Sequence, residues 1–181
     1  MSRLRPPVHE GDHIAGDPSA PVVLVEYGDY ECPFCGRAHG VVEALQQTLA
    51  ERLCFVFRHF PLATVHPHAA LAAEAAEAAG AQGRFWQMHN LLYENQTALE
   101  PADLIGYASM MQLDVDAFVD DLRTHRFLEK VRADLHSGAL SGVNGTPTFF
   151  INGLRHDGAW DFDSLFGAIT GAAAPEMHER G

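Results

Sequence analysis

Cys32-Pro33-Phe34-Cys35 is the stretch of this 181-residue sequence whose residue types and spacing point to a reaction. A thiolate is the species that attacks a disulfide, and it forms more readily where a cysteine stands at a helix N-terminus, facing unpaired N–H groups and the positive end of the helix dipole. The residues around Cys32 predict such a helix. Pro33 suits a first turn because its missing N–H has no helical partner there. Beyond it, Ala38, Val41, Val42, Leu45 and Leu49 recur on one face. Cys32 is then the attacking thiol, and Cys35, one turn further in, can resolve the mixed disulfide within the same molecule.

A CxxC pair can also be half of a structural zinc site, which needs two more ligands at matching spacing. The sequence has no second CxxC. Its third cysteine, Cys54, lies in the apolar run Leu53–Phe57 and reads as a small buried hydrophobe. His66 and His68 form a close pair, but the proline between them fits a helix start better. No metal and no cofactor beyond the cysteines is expected. Of the eleven histidines, His59, His66, His68, His89 and His156 show no triad or metal spacing and read as surface or satisfied interior groups. Trp86 and Trp160 read as core.

The elements that must position the pair follow from periodicity. Val22–Val25, bounded by Pro21 and Gly28, predicts a strand buried on both faces. The helix from Pro33 and a strand over Leu53–Phe57 complete a βαβ unit, with parallel pairing and a right-handed crossover. Residues 63–141 carry only helical signals. His66-Pro67 reads as a helix entry, with Pro67 at the first helical position leading into the Ala-rich run 69–79, and Phe85, Met88, His89, Leu92 and Tyr93 form one stripe. Pro101 opens a helix with Leu104, Ile105 and Ala108, Asp114 caps another with Phe118 and Leu122, and Phe127, Val131 and Leu135 mark a third. Thr148–Ile151 then reads as a strand, Asn152-Gly153 as a hairpin turn, Leu154–His156 as its partner, and the segment from Asp161 as a closing helix. Residues 1–12 lack periodicity and are expected to be a poorly ordered arm, and 172–181 a frayed tail. The fold class is α/β, divided into 13–62, a helical insertion over 63–141, and 142–171.

Composition removes some function classes. Twenty-four acidic residues against twelve basic ones give a formal net charge of −12, which excludes the clustered basic surface a nucleic-acid partner needs. Residues 1–7 are basic, yet His9, Glu10, Asp12 and His13 stand where a signal peptide needs its apolar run. No segment reads as a membrane span. The expectation is a cytoplasmic monomer, or a periplasmic or otherwise extracytoplasmic one if the start is truncated.

The CPFC motif after an apolar strand, the long helical block and Gly145-Thr146-Pro147-Thr148-Phe149-Phe150 together resemble the DsbA-like branch of the thioredoxin superfamily, over roughly residues 13–170. Arg58-His59-Phe60-Pro61-Leu62 adds a resemblance to bacterial thioredoxin-like domains found free or fused to sodium/proton antiporters, here free-standing. The resemblance implies a thioredoxin-like fold with a helical insertion between its βαβ and ββα halves, and an enzyme exchanging disulfides with protein or peptide thiols and with an electron donor or acceptor. It implies that Glu26 is the buried acid near the active site, and that Pro147 is the cis-proline facing the cysteines, with Thr146 before it holding substrate backbone. A carboxyl in an apolar strand is raised in pKa, which suits it to accept the proton of the buried second thiol. Pro33 and Phe34 form the active-site dipeptide. Phe34 departs from the best-known pattern, a histidine able to stabilise the thiolate, which implies a weaker oxidant. The alternative to an enzyme is a redox-sensing or binding module that uses the same disulfide as a switch.

Overall fold

The computed structural model describes residues 2–173. In chain order these form β1 (His13–Ala15), β2 (Val22–Gly28), α1 (Pro33–Leu49), β3 (Leu53–His59), the helices α2 (Ala69–Ala81), α3 (Phe85–Glu94), α4 (Pro101–Met110), α5 (Val115–Arg123) and α6 (Leu128–Leu140), then β4 (Thr148–Ile151), β5 (Leu154–His156) and α7 (Phe162–Ala173). The sheet runs β1-β3-β2-β4-β5. β2 and β3 pair in parallel around the α1 crossover, while β4 runs antiparallel to β2 and β5 to β4. This is the expected α/β thioredoxin fold with a helical insertion, α2–α6, between its two halves.

Side chains alternate across a strand, so β2 and β3 each feed two cores. Leu24, Phe55, Phe57 and Phe149 join the core formed with α1, α3 and α7; Val25, Tyr27, Val56 and Phe150 join a smaller one on the other face. Both faces are covered, which explains why β2 and β3 read as near-continuous apolar runs. The hairpin turn has positive φ at both Asn152 and Gly153, the geometry that favours this dipeptide. Asp114 caps α5 by accepting a hydrogen bond from the Ala117 N–H.

Three features differ from expectation. The segment expected as a poorly ordered arm is packed: Leu4 is buried and its N–H bonds the Gly153 carbonyl, the Arg155 N–H bonds the Ser2 carbonyl, and the Arg5 N–H bonds Ser141 Oγ. Asp12 accepts two 2.8 Å hydrogen bonds from the buried guanidinium of Arg58, which also donates to the Pro6 and Pro7 carbonyls. A strap of bends and turns, held by backbone bonds and one ion pair, has no hydropathy period to announce it. For the same reason β1, three residues long and antiparallel to β3, carries no pattern. Pro67 lies ahead of α2 rather than inside it, because His66 and His68 on either side are bonded elsewhere, as described below. Of the expected tail, residues 174–181 lie outside the described residues.

Candidate active site

Cys32 is the N-cap residue of α1, in extended conformation with Pro33 following at the first helical position. Its N–H bonds the Asp29 carbonyl, and its own carbonyl accepts the Gly36 N–H. Cys32 Sγ lies 3.5 Å from the Thr146 carbonyl oxygen. Cys35 sits one turn inward and is fully buried; the two thiols are not joined. The Cys32 thiol is lowered to about 5, first by the hydrogen bond from the Cys35 thiol; burial opposes this, and the Thr146 hydroxyl and the Cys35 and Phe34 N–H groups add to it. Cys35 is pushed far upward, first by burial and then by donating that same hydrogen bond, with the negative charges of Glu26 and Cys32 adding to the effect. The pair thus has one thiol poised to ionise and one that keeps its proton.

Glu26 lies on β2 opposite Phe57 of β3 and Phe149 of β4. With hydrophobic neighbours on both strands and only 1% exposure, its carboxyl is pushed up to about 8, by burial first and the charge at Cys32 second. Its Oε1 atom is buried without a hydrogen-bond partner, as is the Tyr93 hydroxyl. Tyr93 Oη occupies the space a side chain at Gly28 would need, 2.6 Å from where a Cβ would stand. Glycine is required there by close approach.

The Thr146–Pro147 bond is cis. Thr146 Oγ1 is buried and unpartnered, while the Thr148 hydroxyl bonds the Gly145 carbonyl. Beside Pro147, a cavity of about 180 Å³ is lined by Thr148, Phe149, Arg155, His156 and Trp160. His156 therefore stands by the proline, its Nε2 2.8 Å from the Ala159 carbonyl oxygen. Phe34 is 54% exposed, and the Arg37 guanidinium stacks over its ring at 4.7 Å.

Several residues that hold this site were not singled out in the sequence. Gln96, just beyond α3, donates through Nε2 to the carbonyls of both Tyr30 and Cys32, at 2.9 and 2.8 Å. Its side chain fills the space beside Gly36, which a Cβ would block. The buried Asp29 carboxylate accepts the N–H groups of Glu31 and Leu62 and is 2.7 Å from His66 Nδ1. Glu31 receives the His68 N–H and lies 2.8 Å from His68 Nδ1. That contact raises the His68 pKa, and the same hydrogen bond, against burial, lowers that of Glu31. The available signal was acidic residues flanking one motif and histidines flanking Pro67, which nothing in their spacing connects.

The family model described as Thioredoxin matches residues 9–170. The sodium/proton antiporter NhaA 1 of Salinispora arenicola is 49% identical over 163 residues, covering 90% of this chain but 25% of that protein. The chain thus spans about a quarter of the length of such relatives. Among solved structures, oxidised BdbD from Bacillus subtilis superposes with a TM-score of 0.85 at 23% identity, covering 96% of this chain and 97% of that one. A thioredoxin-like oxidoreductase from Silicibacter pomeroyi gives 0.76 at 27% identity, over 91% and 93%. The expected cytoplasmic location is overturned: the DsbA, BdbD and ScsC structures that share this fold are extracytoplasmic oxidoreductases. Residues 2–12, expected as a polar arm in the place of a leader, instead pack on the fold. No helix among the described residues is long and apolar enough to cross a membrane. A CxxC pair on this fold equips a thiol–disulfide oxidoreductase. The chain belongs to the thioredoxin family, and its fold is DsbA-like.

Proposed function

We propose that this thiol–disulfide oxidoreductase exchanges disulfides with protein dithiols, with Cys32 attacking, Cys35 resolving and Glu26 exchanging the Cys35 proton. The Cys32 thiolate attacks one sulfur of a substrate disulfide, forming a mixed disulfide and releasing the other sulfur as a thiolate. Cys35 then gives its proton to Glu26 and attacks Cys32 Sγ. The Cys32–Cys35 disulfide closes and the second substrate sulfur leaves. Run in reverse, the same steps oxidise a substrate dithiol. A carboxyl titrating at about 8 can serve either direction near neutral pH. The backbone of Thr146, with its carbonyl against Cys32 Sγ, offers an edge on which an extended peptide can pair.

The observation that carries this reading is the asymmetry of the pair: Cys32 at the helix start against Thr146, Cys35 buried beneath it. Trapping tests the assignment. Cys35→Ser should accumulate mixed disulfides with substrate proteins and Cys32→Ser should not; the opposite pattern reverses the roles. A second reading, a redox-sensing module, is favoured by relatives in which the matching stretch is about a quarter of a sodium/proton antiporter. Insulin reduction in the presence of dithiothreitol separates the two, because turnover supports the enzyme and its absence the sensor.

A further inference from the structure

We propose that His13, His59 and Glu77 form a binding site for a first-row divalent cation of the zinc class, separate from the cysteine pair. The three residues come from three elements: His13 from β1, His59 from the end of β3 and Glu77 from the middle of α2. His13 Nε2 and His59 Nε2 each lie 2.8 Å from the same carboxylate oxygen, Glu77 Oε1. All three donor atoms fall within 4.8 Å of one another. Two imidazole nitrogens and one carboxylate oxygen are a donor set that zinc accepts, with a fourth position left for water.

The charge balance favours a cation. Glu77 is buried, and its side-chain partners among the described residues are the two histidines, with no lysine or arginine. A buried carboxylate needs compensation, and a neutral imidazole supplies a hydrogen bond without a full charge. A divalent ion would supply charge to all three groups at once. The site is rigid on two sides. The His13 ring stacks on Phe85 with centroids 3.5 Å apart and planes 3° from parallel, and His59 is packed against Tyr30, Phe57 and Phe85. It is also reachable, because the His13 side chain keeps 21% exposure.

Binding requires each imidazole to present the Nε2 lone pair, its proton moving to Nδ1 or to solvent. Donors around tetrahedral zinc stand about 3.3 Å apart at ordinary bond lengths, so each histidine nitrogen, now 2.8 Å from the carboxylate oxygen, must draw back from it by roughly half an ångström. His59 Nδ1 is buried without a partner, so the supporting hydrogen bond that usually orients a ligating histidine is missing. That loss costs about 10–100-fold in affinity and sets the expectation at micromolar rather than nanomolar binding. Such an ion would clip β1 and the end of β3 to α2, joining the sheet to the helical insertion.

The test uses the full chain carrying Cys32→Ser and Cys35→Ser, so that the thiols cannot take the metal. Calorimetric titration with zinc should show one ion per chain at micromolar affinity, and cobalt(II) should give the visible absorption of a tetrahedral N/O site. His13→Phe keeps the stack on Phe85 and should weaken binding by about tenfold or more and abolish the cobalt spectrum. Glu77→Gln should do the same. If that buried variant fails to fold, His13→Phe alone carries the test. A His13→Phe titration that overlays its parent, or no uptake by the parent, would overturn the proposal and leave a hydrogen-bonded cluster.

Discussion

Cys32 Sγ stands 3.5 Å from the Thr146 carbonyl oxygen, and the hydroxyl of the same Thr146 is buried with no partner. That hydroxyl is a donor held in reserve for the thiolate, and it is among the groups that lower the Cys32 pKa. A hydrogen bond to a charged group contributes about 1.5–3 kcal/mol. Thr146→Val should therefore raise the Cys32 pKa by about 1–2 units, and Thr146→Ser should restore it. The pH dependence of alkylation reads this directly. An unchanged titration in the valine variant would show that the hydroxyl never turns to the sulfur.

Glu26 gives a stability prediction with a definite sign. Its carboxyl titrates at about 8 in the folded chain against 4.5 for the ordinary group. Between those values the folded state binds more protons than the unfolded one, so stability falls as pH rises through that window. The total is on the order of a few kcal/mol. Glu26→Leu removes the titration, so its advantage over the parent should grow from pH 5 to pH 8. Denaturant unfolding of both proteins with Cys32→Ser and Cys35→Ser in place keeps thiol titration out of the comparison and leaves burial, the larger cause, to hold the carboxyl up. A constant difference across pH would mean that the carboxyl is hydrated in solution.

The Asp12–Arg58 pair fastens residues 2–12 to the sheet. Removing one partner of a buried pair typically costs about 3–5 kcal/mol. Asp12→Ala should lower stability by that order and open the segment to limited proteolysis while the sheet stays folded. Burial pushes the Asp12 pKa up, but the Arg58 hydrogen bond and charge bring it below 3.8. The pair's contribution is thus present above that pH and lost as pH falls below it. A strap as protected in the variant as in the parent would move the anchoring to its backbone bonds.

Phe34 can neither donate a hydrogen bond nor carry charge. The reduction potential should therefore fall below the oxidising extreme of about −120 mV, toward thioredoxin at about −270 mV. Phe34→His should move it upward, as equilibration against glutathione would measure. The substitution also removes the ring under Arg37, so Arg37→Ala serves as the control for a change in that stacked pair. A potential that Phe34→His leaves unmoved would separate this site's redox poise from its dipeptide.

The redox pair, the cis-proline, the buried acid and the order of the larger elements were legible because each leaves a local trace. CxxC before a helical stripe, Pro ahead of β4, a glutamate inside the β2 apolar run and Asn152-Gly153 between strands can be read from a few neighbouring residues. What escaped is held by contacts between distant positions. His66 reaches Asp29, and Gln96 reaches Tyr30 and Cys32, across 37, 66 and 64 residues. The cluster of His13, His59 and Glu77 joins residues with no shared motif. The strap over residues 2–12 failed for another reason: the sheet face that needs covering is built by strands that come later in the chain.

Gln96 places a demand on the chain's modularity. The turn that presents Cys32 has two of its carbonyls satisfied by a side chain from the inserted block, and Gly36 is kept small beside it. The thioredoxin halves are therefore not a finished catalyst to which helices were appended. Excising residues 63–141 and rejoining the ends would leave the Tyr30 and Cys32 carbonyls to water and the helix start that lowers the thiol without its brace. Recombination between relatives should succeed only where Gly36 and Gln96 travel together.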